Sequence, residues 1–458
     1  MKKMLFRVLV IMFLVSPILT QNVFSQQIIK KDTQIYHAAR SISVNIISGT
    51  IDSLVSFTTR HNLSKRSDPG FGIGAAASFI KRSLDRYALS GIATSKAERL
   101  EYRAGGKGTR LGREITLDNI VYTIEGTDKG DNRIIAILAH YDSRSFDNND
   151  SLIFAPGAND NGSGVSALLE IARILSSTPL PVTVKIMFLS GEEHGLLGAA
   201  YMASLAKEKG WNIAAVLNND MIGNSRSSAT EISNNTILRI FSENIPVFET
   251  EAMRKERVFN SSENDSKSRQ LARYIKEIGE RYVENMEIKL IYRNDRFGRG
   301  GDHTPFAREG FTAVRLCEYH ENYDRTHQVV EVVKEVEMGD VKKGVDLEYV
   351  RKNAAVNLVS VMNMALAPDV PSNVKIDVSG LSSSTQISWS APAAGKKPSG
   401  YYVLVRETDK SNWDRKIYVT GTSCEIDISK DNYLFAVQSV DSEGHESVAV
   451  FATGGNPR

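Results

Sequence analysis

His140 closes a nearly continuous apolar run at residues 133–139, and Asp142 follows two positions later. Glu192 and Glu193 come just after a second apolar, β-branched run at 182–189, in Ser190-Gly191-Glu192-Glu193. Asp220 follows a shorter run at 213–217, and Asp160 lies ahead of a helix-like stretch at 164–175. Imidazole with several carboxylates is a donor set suited to Zn²⁺ or a comparable divalent ion. One metal takes about three protein ligands and keeps an open position. This group is larger, and a carboxylate can bridge two metals roughly 3.5–4 Å apart. Any single strand-end acid is ordinarily a turn residue. Adjacent Glu192 and Glu193 are harder to dismiss, because two ionised carboxylates in a partly buried place repel unless a cation compensates.

The elements that must position these side chains follow from the hydrophobic pattern. Residues 119–124 alternate, 133–139, 182–189 and 213–217 read as apolar strands, and 164–175 and 199–207 read as helices. Alternation of apolar strands with helices predicts an α/β fold, a mainly parallel sheet flanked by helices on both faces. Ligands of such a sheet bind outside the carboxyl ends of its strands, so these side chains are expected on one rim. Upstream, 34–60 and 72–87 carry helical spacing and predict a helical N-terminal part. Residues 225–267 are polar and predict a surface excursion; 268–284 predicts a helix, and 287–292 and 312–316 predict strands.

His140-Tyr-Asp142, Gly157-Ala-Asn-Asp160-Asn-Gly-Ser-Gly164, Ser190-Gly-Glu192-Glu193 and Asn219-Asp220 stand in the order and approximate spacing of the di-zinc aminopeptidase family. That family includes secreted bacterial leucyl aminopeptidases, glutamate carboxypeptidase II and, as a divergent branch, glutaminyl cyclase. The resemblance spans roughly residues 118–364 and implies the zinc exopeptidase fold. It implies His140 and Asp220 as ligands of one zinc, Asp160 as the bridging carboxylate, and Glu193 as a ligand of the other zinc. Glu192 resembles the general base that binds no metal, and Asp142 the carboxylate that orients His140. The family's bridging Asp is typically followed by a cis peptide, so Asp160-Asn161 is expected to be cis.

The same resemblance supplies the last ligand. Asn322-Tyr-Asp-Arg-Thr-His327 is similar to the segment ending in the family's metal-binding histidine, with Glu331 where an Asp usually supports that ring. Asp302-His303 is similar to its Ser-Asp-His segment, which implies a pocket role for His303, with Asp302 available to hold its ring. His194 and His320 match no ligand position. Thr326 stands where several relatives have an oxyanion-stabilising tyrosine. That role stays open between the metal and an arginine of Arg296-Phe-Gly-Arg299, and Tyr292, Tyr319 and Tyr323 align with nothing cleanly.

The chain of 458 residues, 41% hydrophobic and 24% charged with a formal net charge of +2, has the composition of a globular protein. It carries no basic block, so no nucleic-acid partner is expected. Residues 1–25 read as a signal peptide, with Lys2, Lys3 and Arg7 ahead of an apolar stretch. The mature chain is therefore expected to be secreted or periplasmic, without a membrane span. Only Cys317 and Cys424 occur, so no disulfide framework is expected. The peptidase part is expected over 26–366, a proline-containing linker over 367–371, and a separate all-β module over 372–458. Short alternating strands spaced by turns predict a β-sandwich there, and it resembles a fibronectin type III domain, with Trp389 at that family's core tryptophan. Such a module offers a surface for a protein or cell-surface partner, and the linker prolines suggest few contacts with the rest.

The expected function is that of a secreted metallo-aminopeptidase: two Zn²⁺ ions, peptide or protein substrates, and Glu192 as general base for a metal-activated water. Two competing readings remain: a glutaminyl cyclase-like enzyme with a single zinc, and a catalytically silent binding protein. Against the first, Gly191-Glu-Glu-His-Gly-Leu-Leu-Gly198 runs on without the insertion associated with cyclases.

Overall fold

In the computed structural model, which describes residues 29, 31–228, 230 and 232–455, an eight-stranded sheet organises the larger part. The expected signal peptide lies outside the described residues. The helices α1 (Thr33–Arg40), α2 (Val44–Ser56) and α3 (Gly72–Ser90) lead into β1 (Ser95–Gly105), β2 (Glu114–Ile124) and β3 (Arg133–His140). Next come α4 (Gly162–Ser176), β4 (Thr183–Leu189), α5 (Leu197–Glu208), β5 (Asn212–Asn219) and β6 (Ile237–Ser242). The part ends with α6 (Glu251–Asn260), α7 (Lys267–Tyr282), β7 (Glu287–Ile291), α8 (His303–Arg308), β8 (Ala313–Glu318), a small hairpin of β9 (Val332–Val333) and β10 (Val336–Glu337), and α9 (Leu347–Leu366).

The strand order is β1-β2-β4-β3-β5-β8-β6-β7, and the central pairs β4–β3, β3–β5 and β5–β8 are parallel. Successive side chains of a strand point to opposite faces, and β3 shows it directly. Ile135, Ile137 and Ala139 join the large core under α2, α4, α7 and α9, whereas Ala136 and Leu138 join a second core under α5 and α8. Burial on both faces is why these strands read as unbroken apolar runs. The carboxyl ends of β4, β3 and β5 are neighbours, which brings the residues after 189, 140 and 219 onto one rim.

Three local expectations are corrected. The helix expected over 34–60 is two helices, because Asp32 and Ser43 each cap a helix start by accepting from the backbone N–H three residues on, Ile35 and Ile46. Competition by such side chains for backbone donors breaks a continuous helix. The polar stretch 225–267 contains β6, a largely buried strand antiparallel to β8, and α6. A six-residue strand amid Asn and Ser is too short for its period to show. The strand β1 was also not anticipated; its charged, alternating SKAERLEYRAG suits a sheet edge.

Residues beyond α9 form two antiparallel sheets: β11 (Ser372–Ile376), β12 (Thr385–Ser390) and β15 (Ser423–Ile426), against β13 (Gly400–Glu407), β14 (Arg415–Val419), β16 (Tyr433–Val440) and β17 (Val450–Phe451). They make a β-sandwich whose core holds Trp389, Val403, Val405, Phe435 and Val437. The prolines do not mark a loose joint. Asp265 beside α7 accepts from Arg273 at 2.9 Å and from Arg406 of β13 at 2.6 Å, all three buried. Glu446, fully buried, takes a hydrogen bond from Arg281 of α7 at 3.0 Å, and Trp413 Nε1 donates to Gln270 at 3.2 Å. Breaking a buried ion pair by removing one partner typically costs about 3–5 kcal/mol. Asp265→Ala leaves Arg273 and Arg406 without that carboxylate, so its unfolding free energy from urea titration should fall by an amount in this range. Truncation near residue 367 should give an aggregating peptidase part. A soluble truncated chain that melts cooperatively at the full-length temperature would show that the interface contributes nothing.

Candidate active site

Each rim residue is set by the strand it ends. His140 is the last residue of β3, and its Nδ1 lies 3.2 Å from the carbonyl of Asp142. A proton on Nδ1 donated to that carbonyl leaves Nε2 as a lone pair facing the rim. Nε2 is buried and has no hydrogen-bond partner. It sits 3.2 Å from Asp160 Oδ1 and 3.6 Å from Asp220 Oδ1, itself buried without a hydrogen bond. A second group faces this one. His327 Nε2 lies 3.0 Å from Asp160 Oδ2 and 2.9 Å from Glu193 Oε1. The two oxygens of Asp160 thus point to different histidines, and each of the sets His140–Asp160–Asp220 and Asp160–Glu193–His327 is compact enough to hold one ion. Buried oxygens and an imidazole nitrogen crowded together with unmet bonding capacity fit a cation between them.

Asp142 is fully buried and binds the turn after β4: it accepts from the N–H of Glu192 at 3.3 Å, from that of Glu193 at 3.1 Å, and from Asn62 at 2.6 Å. Its Oδ1 is 3.5 Å from His140 Nδ1. Burial opposes its charge, yet His140 and Asn62 hold the Asp142 carboxyl below the usual range. One carboxylate therefore fixes both the first ligand strand and the Glu192-Glu193 turn. The Asp160–Asn161 peptide is cis, as the resemblance implies. Glu192 reaches neither ligand set. Desolvation pushes its carboxyl well above the usual range, and Asp220, Glu193 and Asp302 add to the shift.

Several residues that complete the site carried no motif. Arg144 donates from Nε to Glu193 Oε2 at 3.0 Å, and its Nη2 lies 2.9 Å from His327 Nδ1. Asp340 accepts from the N–H groups of Asn159 and Asp160, at 2.8 and 2.7 Å, and so pins the bridging loop; burial pushes its carboxyl up to about 7. Arg315, fully buried on β8, places Nη2 3.1 Å from Asp220 Oδ2 and Nη1 2.7 Å from Asp295. An arginine inside the apolar run Ala313-Val-Arg-Leu-Cys is a signal that could have been read, since a buried guanidinium demands a carboxylate. The carboxylates of Asp142, Asp160, Glu193 and Asp220 outnumber the guanidiniums of Arg60, Arg144 and Arg315. Divalent cations would balance that excess.

The remaining histidines are elsewhere. His303 is buried with Nε2 on the carbonyl of Asn294 at 2.8 Å, not on Asp302, and belongs to neither ligand set. Asp302 itself has no hydrogen-bond partner on either oxygen among the described residues, and burial pushes it up to about 8. His194 is less peripheral than its lack of a motif suggests: its Nδ1 is 2.8 Å from the Asn62 amide that holds Asp142, and its ring lies edge-on to His61. Glu331 is exposed at the edge of the β9–β10 hairpin and makes no ion pair among the described residues, so the group on the His327 ring is Arg144 instead. Tyr292 donates to the carbonyl of Ser411 in the sandwich, while Tyr319 and Tyr323 are exposed. Arg296 is bound by Glu321 at 2.7 Å and Arg299 is exposed, so the arginine at the rim is Arg315.

Fold and donor set together define a metallopeptidase, and the chain belongs to peptidase family M28, whose model matches residues 119–343. A Pyricularia oryzae protein named "Probable zinc metalloprotease" is 36% identical over 424 residues, spanning 91% of this chain and 84% of its own. A Leptosphaeria maculans protein of the same description is 34% identical, over 92% of this chain and 97% of its own. Among solved structures, the LapA aminopeptidase of Legionella pneumophila aligns with a TM-score of 0.51 at 19% identity, covering 76% of this chain and 78% of that one. LapB from the same organism gives 0.50 at 20% identity over 74% and 76%. At that identity the structural likeness establishes the fold. No helix among the described residues is long and apolar enough to cross a membrane.

Proposed function

We propose that this chain is a secreted zinc-dependent exopeptidase, an aminopeptidase that holds two zinc ions and uses Glu192 as general base. The observation that carries the reading is the Asp160 carboxylate, shared between His140 at 3.2 Å and His327 at 3.0 Å. His140, Asp160 and Asp220 would hold one ion and Asp160, Glu193 and His327 the other. Bound zinc supplies Lewis acidity and lowers the pKa of water towards neutrality. Glu192, whose carboxyl desolvation holds well above its usual range, accepts the proton of the attacking water and returns it to the leaving amine. Arg144 and Arg315 keep Glu193 and Asp220 aimed, and Asp142 fixes the turn that carries Glu192. Export by residues 1–25 and a fibronectin type III identity for the sandwich belong to the same proposal.

The test is hydrolysis of aminoacyl p-nitroanilides and of their N-acetylated counterparts, with metal content measured alongside. The expected result is turnover of the free-amine substrates only, loss with a chelator, recovery with zinc, and close to two zinc ions per chain. One ion with cyclisation of N-terminal glutaminyl peptides would favour the cyclase instead. Absence of any turnover by zinc-loaded protein would sink the enzymatic reading.

A further inference from the structure

A cleft of about 450 Å³ opens on the β6–β7–β8 side of the sheet, lined by Arg239, Arg293, Arg296 and Arg299 with Phe297 and Tyr323. Its only carboxylate among the described residues, Glu321, is already bound by Arg239 and by Arg296. Arg293 and Arg299 are exposed and have no carboxylate partner among the described residues. Arg293 lies over the ring of Phe297 at 3.4 Å from its centroid, and that ring is 86% exposed. A guanidinium stacked on an aromatic face keeps its N–H edge free and its side chain partly ordered. Both arginines stand on the loop 292–302 between β7 and α8. That loop is tied to the catalytic rim, because Asp295 receives Arg315, which also holds the ligand Asp220.

We infer that this cleft is a subsite for carboxylate side chains of the peptide substrate, with Arg293 and Arg299 as its specificity-determining residues. The inference rests on the peptidase reading of the adjoining rim. An acidic side chain of the substrate needs a cationic surface to take its charge. Two unmatched guanidiniums supply that surface, and their planar N–H edges match a carboxylate bidentately. A peptide rather than a nucleic acid is favoured, because Arg296 of the cleft lies within electrostatic reach of the ligand Asp220 and the chain has a net charge of only +2.

The experiment compares peptides sharing one cleavable terminal bond and carrying Glu or Gln at each following position, with the zinc-loaded full chain. Wild type should turn over one Glu peptide about tenfold faster in kcat/KM than its Gln twin at low salt, as two partly exposed ion pairs would give. The preference should vanish in Arg293→Ala/Arg299→Ala and shrink at high salt, while turnover of a short uncharged amide stays unchanged. Anisotropy of the labelled Glu and Gln peptides reads the cleft without turnover, so loss of activity on every substrate would indict the peptidase reading and not the subsite. Equal binding of both peptides by wild type, a Glu preference surviving in the double variant, or tighter binding of a single-stranded oligonucleotide than of the Glu peptide would overturn the inference.

Discussion

Glu192→Gln should keep its fold and its zinc while kcat falls by about 10²–10⁴-fold, the usual contribution of a positioned acid–base group. The expectation follows from the division of labour in one dipeptide. Glu193 is buried, lies 2.9 Å from His327 Nε2, and is gripped on its other oxygen by Arg144. Glu192 belongs to neither ligand set. Its backbone N–H is held by Asp142 at 3.3 Å, so the side chain is aimed without being ligated. An amide in place of this carboxylate preserves size and removes the proton acceptor. Glu193→Gln is the contrasting variant: it should lose metal and activity together, because a ligand oxygen is gone and Arg144 is left facing an amide. Steady-state kinetics with metal analysis on both proteins separates the two roles. A Glu192→Gln enzyme working near the wild-type rate would remove the proton-transfer mechanism.

His327→Ala should fall towards a single tightly held zinc with little activity, whereas His303→Ala should still load two ions when zinc is in excess. His327 Nε2 touches both Asp160 and Glu193, so it is the sole imidazole of its ligand set. Burial opposes a charge on this ring, yet Glu193 and Asp160 raise its pKa to about 10. Without metal the ring carries a proton on Nε2 towards those carboxylates, and zinc must displace that proton. Metal release below neutral pH should accordingly be steeper in wild type than in the alanine variant. His303 bonds to the carbonyl of Asn294 and contributes to neither set. Removing a group of that kind typically weakens metal affinity roughly 10–100-fold without deleting a site. Zinc titration with a competing chelator is the measurement. Retention of two tight ions by His327→Ala, with loss of one by His303→Ala, would reverse the assignment.

Much of this was legible before any coordinates. The strands 133–139, 182–189 and 213–217 declared themselves because burial on both faces demands unbroken apolar runs, and the acids at their ends followed from where such sheets bind ligands. His140, Asp160, Glu193, Asp220 and His327 all arrive at the rim. Two strands stayed hidden. β6 is too short and too flanked by Asn and Ser for a period to register, and β1 carries its charges on a sheet edge.

The supporting polar groups were hidden for a related reason. Arg144, Asp340 and Asn62 each act by hydrogen bonds or ion pairs to residues far along the chain, and no local pattern records such partners. The same holds for the sandwich. Its strands and its core Trp389 were readable from period two and turn residues, but its attachment was not. Prolines at 368 and 371 set a local backbone direction. Whether the module then swings free depends on Arg406 meeting Asp265 and Arg281 meeting Glu446. Sequence alone determined the central strands and which chemistry-bearing residues end them, because both follow from local propensity and periodicity. Only the tertiary structure decided which charges face one another, because a Coulomb partner is chosen by distance in space and not by position along the chain.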